Sequence, residues 1–178
     1  IGYYGSMTLF STPEIDGEIG DLLAEADRLR TRIGVTVASP ERWVRALRRE
    51  AEAEAYASST EIEGFRVGAE RVAPIVTGAS PETRNEEALA CYAHAMRHVG
   101  VMAADPRFEW NSRVLLDLHF DACSFQPEKH PGVLREKPVS VTASDGRTAY
   151  SAPGEEQLGV LIGEFVEWLR ASEALHPL

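Results

Sequence analysis

The chain has 178 residues, 44% of them hydrophobic, which suits one domain or one domain with a small extension and excludes a disordered chain. A formal net charge of −10 disfavours a broad nucleic-acid surface, which needs clustered Lys and Arg. No apolar run approaches the length of a bilayer span, so no membrane partner is expected.

The opening residues, IGYYGSMTLF, lack the basic region and sustained apolar stretch of a signal peptide. The Gly-Ser before Met7 reads as the end of an added leader, 1–6, with Met7 as the start. Residues 13–32 then place Ile15, Ile19, Leu22, Leu23, Ala26 and Leu29, with Ile33 just beyond, at helical spacing. Asp16, Glu18, Asp21 and Glu25 come early and Arg28, Arg30 and Arg32 late, as the helix dipole prefers. A second helix follows ASPERW, with Ser39 as cap, Pro40 at the first position and Trp43, Val44, Leu47 and Ala51 on one face. It runs into YASSTEIEGF, where Gly64 reads as the stop.

The segment from Ser80 repeats the Ser-Pro start, and Leu89, Tyr92, Ala93, Met96 and Val99 give a helix face that ends before Pro106. Cys91, His94 and His98 share this helix. The two histidines could face one metal, but H-E-x-x-H is absent and no second ligand cluster stands out, so no metal is expected. WNSRVLLDLHFDACSF reads as a helix capped by Asn111 or Ser112, with Val114, Leu115, Leu118 and Cys123 buried. Two cysteines make no disulfide framework in a chain of this size. Cys91 and Cys123 are expected as reduced, buried thiols of a cytoplasmic protein.

From Gln126 the chain turns rich in Pro and Gly. VSV and TAY flank SDG, and Asp145-Gly146 signals a hairpin turn. A two-stranded hairpin is marginal alone, so it should lean on helices. Gly132 and Arg135 in HPGVLR could contact an anion, or form a turn with Arg135 pairing on the acidic surface. EEQLGVLIGEFVEWLR is helical again, with Leu158, Leu161, Ile162, Phe165, Trp168 and Leu169. The expected fold is all-α with one inserted hairpin. Its regions are an N-terminal helical extension (1–38), a helix region around SSTEIEG (39–70) and a helical core with the hairpin (71–178).

Neither a common phosphate loop nor a G-x-S-x-G elbow is written in the chain. What remains is SSTEIEG. The last turn of a helix favours cations, yet here it carries Glu61 and Glu63. A solvated helix end with tolerated glutamates is the plain reading. Ser59 and Glu63 are i and i+4 and project to one side, where a carboxylate would gain from an external cation, most strongly a bidentate Arg.

Ser59-Thr60-Glu61-Ile62-Glu63-Gly64 resembles the inhibitory signature [S/T]-x-x-x-E-[G/N] of the Fic family, the AMP-transferring enzymes that share a helical core. NEEALACYAHAM is similar to that family's Asn/Ala-rich helix, LLDLHFDACS to its Leu-His helix, HPGVLREKPVSV to its P-G-x-x-R…V-x-V lead into a flap, and SAPGEEQLGVLIGEFVEWL to the Pro-led helix after it. Together these cover most of 42–178. The resemblance implies a Fic-like bundle in which the hairpin, near 139–150, is a flap. Val139, Ser140, Val141, Thr148, Ala149 and Tyr150 would dock a target protein as an added strand. It implies AMP transfer from ATP, with Mg²⁺, to a target hydroxyl. Glu63 maps to the inhibitory acid, which pairs an Arg of the catalytic loop and so blocks the γ-phosphate. Ser59 maps to the hydroxyl that helps hold the helix, and Gly64 closes it.

The catalytic loop itself, H-P-F-x-x-G-N-G-R-x-x-R, is not in these residues. His176-Pro177 matches only its first two, so the resemblance implies the N-terminal part of such a protein, with no catalytic residue of its own and no tight ATP or Mg²⁺ site alone. A homo-oligomer is compatible with this reading. A non-catalytic regulatory module that pairs with a separate catalytic half is the alternative, and a DNA-associated regulator is disfavoured by the acidity.

Overall fold

The computed structural model describes residues 16–37 and 42–172. The expectations for Met7, Ser39, Pro40, His176 and Pro177 lie outside the described residues. In chain order come α1 (Gly17–Val37), α2 (Arg42–Ile62), α3 (Ala69–Val76), α4 (Arg84–Ala103), α5 (Ser112–Cys123), β1 (Ser140–Thr142), β2 (Thr148–Ser151) and α6 (Leu158–Ala171). Single 3-10 turns precede the hairpin, at Pro127–Lys129, and α6, at Glu155–Gln157. The protein is therefore mostly helical with one two-stranded antiparallel sheet. Among the described residues no helix is long and apolar enough to cross a membrane.

Side-chain caps set the starts of α1, α4 and α5. Asp16 caps α1, its Oδ1 accepting the Ile19 N–H at 2.9 Å. The helix runs on to Val37, so Arg28, Arg30 and Arg32 lie short of its last turn, which holds no basic residue. Asn111 caps α5, accepting the Val114 N–H at 3.1 Å. α4 differs from expectation. Its cap is Thr83 rather than Ser80, and the Thr83 hydroxyl accepts the Glu86 N–H at 3.2 Å. Thr83-x-x-Glu86 has the spacing of a capping box. α3 has no counterpart in the sequence reading, and the boundary drawn at 70/71 falls inside it.

α4 is the central element. α2, α3 and α5 all pack on it, and Leu89 and Ala93 are fully buried where they meet. Ala88 and Ala95 of α4, Ile75 of α3, and Val44 and Ala53 of α2 are buried as well. Outside it burial is thinner than the apolar pattern implied. Val114, Leu115, Leu118 and Cys123 are half-buried, because α5 has α4 on one side and only a light contact with α6 besides. Cys91 is likewise half-buried rather than enclosed, with its Sγ 3.3 Å from Ser124 Oγ. In α6 only Val166 is buried.

A charged contact ties α3 to α4. Arg71 of α3 meets Glu86 of α4 as a fork, Nε to Oε1 at 2.8 Å and a terminal nitrogen to Oε2 at 2.9 Å. The Glu82 N–H donates to the same carboxylate at 2.7 Å, and Arg71 donates to the Ser80 carbonyl at 3.2 Å. Glu86 is 6% exposed, so its charge depends on these donors. They pull its pKa down to about 2, the Arg71 bond first and the Glu82 amide next.

A folded-state pKa below the ordinary 4.5 means that Glu86 stabilises the fold fully above pH 4.5, and that this contribution fades as pH falls toward about 2. Glu86→Gln should lower the melting temperature by several degrees at pH 7, by removing the charged fork and leaving Arg71 with the more exposed Glu82, 3.3 Å away, as its ion-pair partner. The gap between variant and parent should close as pH falls through that window in melts followed by circular dichroism. A gap that stays constant with pH would show that the Glu86 charge does not stabilise the fold.

Candidate functional site at the end of helix α2

The end of α2 is a Schellman turn. The Gly64 N–H donates to the Glu61 carbonyl and the Phe65 N–H to the Thr60 carbonyl, both at 2.9 Å. Gly64 sits at φ +90°, in the left-handed region where a Cβ is strained, so a glycine is the natural residue there. Phe65 emerges from the turn edge-on to Phe125, with ring centres 5.0 Å apart, and this contact fixes the helix end against the segment after α5.

The two glutamates of the last turn go to opposite sides. Glu61 faces a groove between α2 and α3 and pairs with Arg66, just past the turn. Its charge is therefore met locally. Ser59 and Glu63 face the other way and line a cleft of about 630 Å³ toward α4 and α5, together with Tyr92, His119, Cys123 and Lys129. Among the described residues Glu63 makes no ion pair or hydrogen bond. The hydroxyl that bonds back into the helix is that of Thr60, to the Ala57 carbonyl at 3.0 Å.

His119 is committed elsewhere. Its Nδ1 accepts the Gly132 N–H at 3.1 Å, which docks the HPGVLR turn on α5. Gly132, at φ +81°, comes so close that a Cβ would lie 3.0 Å from the Phe120 side chain. Burial and the neighbouring Cys91 push the Cys123 thiol up in pKa, which favours its protonated form. The cleft thus offers a free carboxylate, an ammonium and an engaged imidazole, a set suited to holding a charged group rather than attacking one. Lys129 went unnoticed in the sequence; it reaches the cleft only because of the 3-10 turn that carries it.

The hairpin forms where expected, with Ser140 opposite Ser151, Val141 opposite Tyr150 and Thr142 opposite Thr148. Ala143 to Gly146 makes the turn, its Gly146 N–H donating to the Ala143 carbonyl at 3.0 Å with Gly146 left-handed at φ +82°. The hairpin does not lean on the helices: every strand residue, Ala149 included, is exposed, as is Val139. It is held at its base instead. Arg135 donates to the Lys137 carbonyl before β1 at 2.8 Å and to the Pro153 carbonyl after β2. Arg135 therefore ties backbone together, and among the described residues it pairs with no acidic side chain.

The histidine pair of α4 meets α5. His98 Nδ1 lies 2.6 Å from Asp121 Oδ2, and His94 Nε2 lies 3.7 Å from Oδ1. Cys91 stands apart with Ser124, and among the described residues no His, Cys, Asp and Glu group could hold a metal ion. The geometry therefore defines a helical protein with an acid-bearing cleft and an exposed hairpin. Comparison with family models, with curated proteins and with solved structures finds no match.

Since every strand residue is exposed and Arg135 ties the hairpin at its base, its amides should exchange with solvent faster at 140–151 than α6 amides do at 158–171. Hydrogen exchange read by mass spectrometry measures this directly. Equal protection of the two segments would mean that the hairpin is braced by more than its base.

Proposed function

We propose that this chain is the regulatory and target-docking part of a cytoplasmic Fic-type protein AMP-transferase. SSTEIEG acts as its inhibitory helix end, and the exposed hairpin receives the target protein. The observation that carries this reading is the division of labour between the two glutamates. Glu61 pairs with Arg66, whereas Glu63, which lines an open cleft with Ser59 and Lys129, makes no ion pair among the described residues. A carboxylate held against the helix dipole without a local partner suits a cation brought by another segment. In the Fic family that cation is an Arg of the catalytic loop. The hairpin supports the same reading through its exposed Val141 and Tyr150 and its unpaired outer edges.

ATP and Mg²⁺ belong to the intact enzyme in this proposal. The residues at the cleft do not by themselves form a triphosphate cradle: Lys129 is their lone ammonium, Glu63 opposes an anion, and no phosphate loop is written nearby. The described residues also hold no metal-binding group. No chemical step is therefore assigned to this chain. Its own residues hold the helix end in place, keep Glu63 available and present a strand edge. A second reading, a regulator completed by a separate catalytic chain, draws on the half-exposed apolar faces of α5 and α6, and it uses the same cleft.

The test is AMP transfer with labelled ATP and Mg²⁺. The 178 residues alone should give no label. Joined to a segment bearing H-P-F-x-x-G-N-G-R, or mixed with it, Glu63→Gly should raise labelling by at least about tenfold, as expected when a blocked anion subsite is freed. Glu61→Gly should leave it near the parent level. Equal activation by both would indicate loosening of the helix, and activation by neither would reduce SSTEIEG to a helix end.

A further inference from the structure

α1 spans 21 residues and makes no extensive contact with another described helix or strand. It nevertheless shows an apolar stripe: Ile19, Leu22, Leu29 and Ile33 are 45%, 66%, 42% and 58% exposed. Their spacing is 3, 7 and 4, with Ala26 filling the gap, so the stripe alternates steps of three and four. That is the seam of a two-stranded coiled coil, with Ile19, Ala26 and Ile33 at position a and Leu22 and Leu29 at d. Gly20 and Gly34 fall on the outer side, away from it.

We propose that α1 pairs with the α1 of a second copy of this chain as a short, parallel, in-register coiled coil. Two features select this occupant. First, Ile at a with Leu at d favours two parallel strands, and an in-register pair stacks Ile on Ile and Leu on Leu. Second, the flanking charges complement a parallel copy. Glu25 stands at g and Arg30 at the following e, the two positions that meet across such a dimer, and symmetry makes that pair twice. Within one chain Glu25 pairs with Arg28, whereas Arg30 has no ion pair among the described residues. The seam covers about 21 Å from Ile19 to Ile33 at 1.5 Å per residue, and its centre is a small Ala26, so the dimer is weak and concentration-dependent. The dimer would carry two hairpins and two clefts, and it rests on α1 alone.

Sedimentation of the 178-residue chain between about 1 and 100 µM should show monomer passing into dimer. Leu22→Asp with Leu29→Asp should raise the dimer dissociation constant by at least about tenfold, while circular dichroism shows the helical body still melting as in the parent. Glu25→Arg or Arg30→Glu alone should weaken the dimer several-fold, and the two combined should restore it. A parent that stays monomeric at about 100 µM would overturn the proposal, and would point instead to α1 folding onto its own chain or meeting an unrelated protein. A dimer indifferent to the Leu22→Asp, Leu29→Asp variant would overturn it too, and a charge swap that fails to restore pairing would overturn the parallel register.

Discussion

The register of α3 against the central helix depends on one contact, the fork between Arg71 and the buried Glu86. α3 is only eight residues long, too short to persist by itself, and carries Pro74 in its interior. Its register against α4 is set by the guanidinium that reaches Glu86 and the Ser80 carbonyl together. The same carboxylate takes the Glu82 N–H, so the chain between the two helices is gathered at one point. α2 packs on both α3 and α4, and its last turn inherits their positions. The end of α2, which carries Glu63, is thus held both by its packing on these two helices and by the Phe65–Phe125 contact.

Signals that act within a few residues were legible in the sequence. Gly64 as a helix stop, Asn111 as a cap and Asp145-Gly146 as a turn each rest on backbone preferences that tertiary context did not overrule. α6 and the helix face through Leu89 and Ala93 could be read because apolar periodicity reports burial where a partner exists. α3 could not be read, since Gly68, Pro74 and Gly78 present it as a loop. Nor could the start of α4, where Ser80-Pro81 competed with Thr83-x-x-Glu86 and the fork to Arg71 decided the matter from fifteen residues away.

The candidate site shows the same division. That Ser59 and Glu63 share a side follows from helical spacing, and both line the cleft. Which glutamate is neutralised does not follow from spacing, because Arg66 can fold back onto Glu61 only after the Gly64 turn reverses the chain. The hairpin strands were located by pattern, yet their detachment from the helices was hidden. Val139, Val141 and Tyr150 look like residues seeking a core, and only the packed structure shows that none reaches them.

Arg135 grips the hairpin solely through main-chain oxygens, and those oxygens are present whatever side chains the strands carry. Anchoring is thereby uncoupled from strand composition. Substitutions at Val141, Thr148 or Tyr150 would leave the clamp untouched, and such positions can drift under selection for whatever they meet without a penalty in folding. The clamp makes the hairpin an interchangeable surface on a fixed mount, so its sequence is expected to diverge faster among relatives than that of the helices that carry it.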